Sequence, residues 1–329
     1  DLVADPWACS TSTARSTDPA CNYISHLLPI DRSLHWANPE GLPCTEEGKI
    51  KDCRPDPAAS LGLLQVPYDG PVPVVVHVHG AHVGPESDGY PEAWWLPNAN
   101  NIPAGYSTTG TLVNQYAVPT NNAPGVGSFS YLNDQPSTTL WYHDHSLGMT
   151  RNNVYAGPAG FWLLREAGAG ESGLAANDAD GDPQALPGPA PVAGEDLAET
   201  NLPPGRNKYR EIPVVIQDRS FNDDGSLFYP GDRAFFEGVP VSDLKIPFIG
   251  DSADGMLKDP SDIAPIWNPE AFFNVMVVNG VSWPTLDVEP DLYRFRLLNG
   301  CNSRFLNLSM FVVNPDGTLG AEVPFYQIG

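Results

Sequence analysis

Four of the seven histidines form two His-x-His pairs, His77/His79 and His143/His145. Side chains two apart on an extended strand project from the same face, roughly 7 Å apart. Each pair therefore offers two imidazoles side by side, and two such strands facing each other would offer four. Neutral imidazole suits copper, zinc, iron and nickel, so the pattern points to a metal site and leaves the metal open. A lone histidine is usually a hydrogen-bonded polar group. Two pairs, each on a strand-sized apolar run, are not explained that way.

The elements that must carry these side chains are strands. Pro73–His79 and Thr138–His145 read as strands, as do Gly127–Leu132 and Ala159–Arg165. After Arg210 the pattern resumes at Ile212–Asp218, Phe273–Val278, Tyr293–Asn299 and Leu306–Phe311, with turn signals at Asn222–Gly225 and Asn314–Gly317. Proline (35) and glycine (31) punctuate the 329 residues too often for long helices. The expected class is all-β, as Greek-key sandwiches. A stretch rich in Ala, Gly, Pro, Asp and Glu at 167–210 reads as a linker or insertion between units at 1–166 and 211–329. Within it, Asp178, Asp180 and Asp182 have the spacing of a calcium loop. Pro183 stands where that loop needs glycine, and no Glu occupies its twelfth position, which argues against calcium.

The formal charge is -23, with 40 acidic against 17 basic residues. No basic footprint for nucleic acid exists. No apolar run approaches the roughly 20 residues of a membrane-spanning helix. The five cysteines follow no zinc spacing. Cys9/Cys21 and Cys44/Cys53 are close enough in sequence to close two small loops, leaving Cys301 over. Each loop would contribute about 3 kcal/mol in the chain-entropy model, and both imply an oxidising compartment. The expected location is secreted, periplasmic or on a cell or spore surface.

The surroundings of the histidines carry a resemblance. His77-Val-His-Gly-Ala-His-Val-Gly-Pro-Glu-Ser-Asp-Gly-Tyr-Pro-Glu-Ala-Trp94 resembles the first copper-binding segment of multicopper oxidases, in particular the branch of spore-coat laccases, bilirubin oxidases and phenoxazinone synthases. Leu140-Trp-Tyr-His-Asp-His-Ser-Leu-Gly-Met-Thr-Arg-Asn-Asn-Val-Tyr-Ala-Gly157 resembles the second segment of that branch. Leu28–Arg32, Gln217–Pro230 and Val278–Arg296 are similar to further stretches of the same family. The resemblance implies cupredoxin-like sandwiches, two of an expected three and both incomplete. It makes His77 a ligand of type 2 copper, and His79, His143 and His145 ligands of the type 3 pair. Asp88 would assist proton delivery beside the cluster. Asp144 faces away from its histidine neighbours, and the sequence leaves open whether it supports the site or is solvated.

The family's trinuclear cluster takes eight histidines, of which this chain would supply four. The His-Cys-His segment of the type 1 site is not found, and no histidine follows His145. The expectation is therefore a fragment, inactive alone, whose partners are the remaining segments of the oxidase or a complementary chain. The complete protein would oxidise a small phenol, amine, pigment or metal ion and reduce dioxygen to water. Two other readings stand beside this one. One is a non-catalytic copper-binding coat component. The other is a zinc hydrolase built on His77-x-His79-x-x-His82, in which Ala81 replaces the aspartate that such sites need as a ligand. The sequon at Asn307 falls in a strand pattern and reads as chance.

Overall fold

In the computed structural model, residues 9, 17–32, 36–40, 45–46, 49–50, 68–118, 124–164, 211–240, 270–288 and 290–327 are described. Strands dominate them, as expected for the all-β class. β1 (Thr45–Glu46) and β2 (Lys49–Ile50) form a small antiparallel pair. β3 (Val76–His79), β4 (Thr138–Asp144) and β5 (Ala159–Leu164) form a three-stranded sheet with β4 central. β6 (Glu211–Arg219), β7 (Val275–Val278), β8 (Val281–Ser282) and β9 (Arg294–Asn299) form a four-stranded sheet in the order β8-β7-β6-β9. β10 (Met310–Val313) and β11 (Leu319–Val323) make a hairpin. The helices are short: α1 (Val113–Tyr116), α2 (Thr150–Ala156) and α3 (Ala234–Glu237). No helix among the described residues is long and apolar enough to cross a membrane.

The described residues cluster into two compact units. The first holds those up to Gln135, Leu140–Leu163 and those from Arg219 to Ala271. Its core joins Ile30, Trp36, Tyr68, Val72, Val75, Trp94, Leu96 and Met149. Trp36 meets Tyr68 edge to face at 4.9 Å, the arrangement that ring quadrupoles favour. The Tyr68 hydroxyl donates to the Pro71 carbonyl at 2.5 Å, which satisfies the one polar atom that this ring buries. Burial pushes that hydroxyl's pKa far above the usual tyrosine range. Cys9 and Cys21 form a disulfide, as expected. Cys44, Cys53 and the 167–210 segment with its acidic triplet lie outside the described residues.

In the second unit, β6 and β9 run parallel with Glu211 beside Arg294 and Ile216 beside Asn299. Glu211 is wholly buried and pairs with Arg294 and, at 3.0 Å, with Arg296. Asp218, also wholly buried, accepts from the Phe273 N–H, the Asn302 N–H and Arg304 Nε. Cys301 remains a thiol, with Sγ 3.7 Å from the Ile216 carbonyl.

Two strand expectations are corrected. Gly127–Leu132 joins no sheet. The Ser130 N–H donates to Ser87 Oγ instead of a ladder carbonyl, and Tyr131 meets Trp162 with tilted rings at 5.0 Å. The side-chain acceptor competes with sheet pairing at this position. The last strand starts at Met310 and not at Leu306, so exposed Asn307 stands outside it. The strand argument against that sequon therefore does not hold.

Candidate metal centre

β3 and β4 pair antiparallel with His77 opposite His143 and His79 opposite Trp141. Directly opposed residues share a face, so the two His-x-His pairs converge as their spacing suggests. The His145 N–H continues the ladder to the Val75 carbonyl at 2.9 Å. His77 has its ring centroid 5.4 Å from that of His79, 5.2 Å from His143 and 4.9 Å from His145. His143 stands 5.6 Å from His79 and 5.8 Å from His145. Trp141 lies against two of the rings, 5.5 Å from His79 and 4.3 Å from His143.

The ring nitrogens divide into held and open ones. His77 Nδ1 meets the Asp88 carbonyl at 2.5 Å, and His143 Nδ1 meets the Asp144 carbonyl at 2.7 Å. A backbone carbonyl on Nδ1 fixes the tautomer and leaves Nε2 as the lone-pair donor, the arrangement found behind metal-bound histidines. His143 Nε2 lies 3.3 Å from His79 Nδ1. That separation fits two bonds of about 2.0 Å to one shared ion. One nitrogen from each of His77, His79 and His143 falls within 4.8 Å of the others. His145 Nδ1 is buried with no hydrogen-bond partner among the described residues. A buried nitrogen in that state lacks the partner that such atoms normally have. The donor set therefore fits a soft-to-borderline transition metal.

Electrostatics favour the neutral forms of His143 and His145. Burial pushes the His143 pKa below the usual histidine value, and the charged forms of His77, His145 and His79 would push it further. Burial lowers His145 as well, with His77 adding to the effect and Asp88 opposing it.

Asp88 reaches the site in two ways. Its carbonyl holds His77, and its exposed carboxylate stands 3.3 Å from His77 Nδ1. Gly89 permits this approach. Its φ is +82°, and a Cβ there would run into the Val76 carbonyl and His77 Cβ. His82 lies apart from the grouped ligands, exposed, with Nδ1 3.9 Å from Asp134. Asp144 is not solvated: it is buried and accepts four hydrogen bonds. Nothing in the residue pattern marks the Asp88 and Asp144 carbonyls as acceptors, because every residue carries that group.

No family model matches the chain. Among curated proteins it is 34% identical over 287 residues to a laccase of Bacillus stratosphericus, covering 87% of this chain and 37% of that protein. It is 31% identical over 306 residues to the multicopper oxidase LPR1 of Arabidopsis thaliana, covering 93% of this chain and 38% of that one. Solved structures that match include a variant of the McoA multicopper oxidase of Aquifex aeolicus, at 21% identity and a TM-score of 0.36 over 76% of this chain and 39% of that one. The laccase-like oxidase CueO of Ochrobactrum sp. matches at 19% identity and a TM-score of 0.36, over 77% of this chain and 39% of that one. Over most of its length the chain is similar to laccases and other multicopper oxidases, the family that its histidine segments resemble. It spans less than half the length of the curated relatives it matches.

Proposed function

We propose that this chain is part of a laccase-like oxidase and that His77, His79, His143 and His145 hold copper. The convergence of two strand-borne imidazole pairs on one face carries this reading. His77 is assigned to type 2 copper, and His79, His143 and His145 to the type 3 pair. Bound copper supplies one-electron redox chemistry, coupling oxidation of a small phenol, amine, pigment or metal ion to reduction of dioxygen to water. The chain's own contribution is positional. The Asp88 and Asp144 carbonyls orient His77 and His143, Trp141 lies against His79 and His143, and burial favours the neutral forms of His143 and His145. The Asp88 carboxylate, exposed and 3.3 Å from His77 Nδ1, is placed to assist proton delivery to the site.

The other ligands come from remaining segments of the oxidase or from a complementary chain. Exposed apolar residues in the second unit support such a covering partner: Met310, Phe311, Val312 and Val313 of β10, with Phe305 and Tyr326. A disulfide supports an oxidising, secreted or surface location. The zinc-hydrolase reading loses support because His82 stands outside the cluster.

The test is oxygen uptake, with a phenolic donor, by this chain loaded with copper together with the segments or complementary chain that supply the other ligands. We expect uptake that His143→Ala abolishes. Copper binding without any uptake would favour the non-catalytic coat component instead.

A further inference from the structure

We propose that Asp144 is a positioning residue for the histidine cluster: its buried carboxylate fixes the β4 turn against the entry to β3 and so sets where His143 and His145 present their rings. The inference rests on the copper reading above.

The carboxylate is 5% exposed and has all four of its acceptor positions filled. Oδ1 accepts from the Val75 N–H at 2.9 Å and Ser146 Oγ at 2.8 Å. Oδ2 accepts from the Ser146 N–H at 2.9 Å and Asn153 Nδ2 at 2.8 Å. These donors come from three segments: the residue before β3, the turn after β4, and α2. All four are neutral. A buried carboxylate without a cationic partner is costly to desolvate, so a need for four convergent acceptors is the feature that sets it apart from an apolar residue at this position.

The clamp acts directly on the ligands. Val75 is held from both sides, its N–H by Asp144 and its carbonyl by the His145 N–H at 2.9 Å. The Asp144 carbonyl accepts from His143 Nδ1, so fixing this residue fixes the group that orients the His143 ring. Behind the clamp, Asn153 Nδ2 also donates to the Pro73 carbonyl at 3.0 Å. Asn153 Oδ1 accepts from His26 Nε2 at 2.8 Å, and His26 Nδ1 accepts from the Leu28 N–H at 3.0 Å. The amide of Asn153 thus has one orientation, set by His26.

The test uses the intact protein. Copper affinity is measured by chelator competition, the spectrum of bound Cu(II) by electron paramagnetic resonance, and stability by thermal melting. Asp144→Asn is compared with Asp218→Asn, a buried carboxylate of the second unit that also accepts backbone N–H groups. Changing a group that orients metal ligands typically weakens metal binding about 10–100-fold. We expect that loss and an altered spectrum for Asp144→Asn. Asp218→Asn should melt earlier with copper binding unchanged. If Asp144→Asn lowers the melting temperature but keeps normal affinity and spectrum, the proposal is overturned. If Asp144→Asn does not fold, Ser146→Ala removes a single donor to the carboxylate and should weaken copper binding, by less than the loss expected for Asp144→Asn; unchanged binding there overturns the proposal equally. His77→Ala separates the two readings. If it leaves copper binding intact, the copper assignment itself fails. If it abolishes binding while Asp144→Asn has no effect, only the positioning role fails.

Discussion

The histidine-bearing sheet and the four-stranded sheet of the second unit bury carboxylates in opposite ways. Asp144 is surrounded by neutral donors, two backbone N–H groups, a hydroxyl and an amide. Glu211 is matched with two guanidinium groups, and Asp218 with one guanidinium and two backbone N–H groups. A buried acid paired with arginine neutralises itself and holds strands together. A buried acid held by neutral donors positions backbone while adding no cation near rings that must accept one. The second sheet uses its charges for structure, whereas the first leaves its imidazoles as the available donors.

The largest expected effect breaks the first sheet's chemistry. His77→Ala with His143→Ala should remove the copper bound at the cluster, measured by metal analysis after dialysis. Next comes the second sheet. Glu211→Ala removes one partner of the buried Glu211–Arg294 pair, a loss that costs about 3–5 kcal/mol. Denaturant melts should show that loss while copper content stays the same. A change in copper content would mean that the loss of Glu211 reaches the histidine-bearing sheet, to which Arg296 donates at Thr139 Oγ1.

A smaller effect concerns pH in the copper-free protein. Burial pushes the Asp144 carboxyl up to about 6, although its four donors pull it down. Because the folded pKa lies above the unfolded value of 3.8, the folded state binds the proton more tightly. Asp144 therefore contributes stability at low pH that is lost as pH rises from about 4 to 6, on the order of 3 kcal/mol at one pKa unit per 1.36 kcal/mol. His143 and His145 act in the other direction. Their pKa values are lowered in the folded state, so below about pH 6.5 the unfolded chain takes up protons first and stability falls. Asp144→Asn should leave only the histidine slope, so that stability rises more steeply with pH between 4 and 6. Urea melts across that range check the slope, and an unchanged slope would remove the carboxylate from the account.

The smallest effect sharpens the contrast between sheet and loop. Ser87→Ala removes the acceptor for the Ser130 N–H. Losing one such hydrogen bond costs about 1 kcal/mol, and amide exchange should quicken at Ser130 while β3 and β4 stay protected.

The histidine face was legible because period-two spacing needs only an extended backbone. His77, His79, His143 and His145 converge as that rule requires. The strands around them were legible from apolar runs bounded by Gly and Pro. Asp144 was half legible: alternation gives its face, but whether that face is wet depends on α2 and the β3 entry, which are remote in sequence. Gly127–Leu132 misled because its alternation is real, yet Ser87 supplies the hydrogen bond that a neighbouring strand would have supplied. The Glu211–Arg294 pair depends on a parallel register spanning more than 80 residues, and local pattern does not encode such a register.

Copper counted by native mass spectrometry on the intact protein, beside its His77→Ala/His143→Ala variant, tests the central claim most directly. The account predicts that the variant keeps its fold and loses the coppers of the cluster. Equal copper counts in the two proteins would show that these histidines are not the metal's ligands.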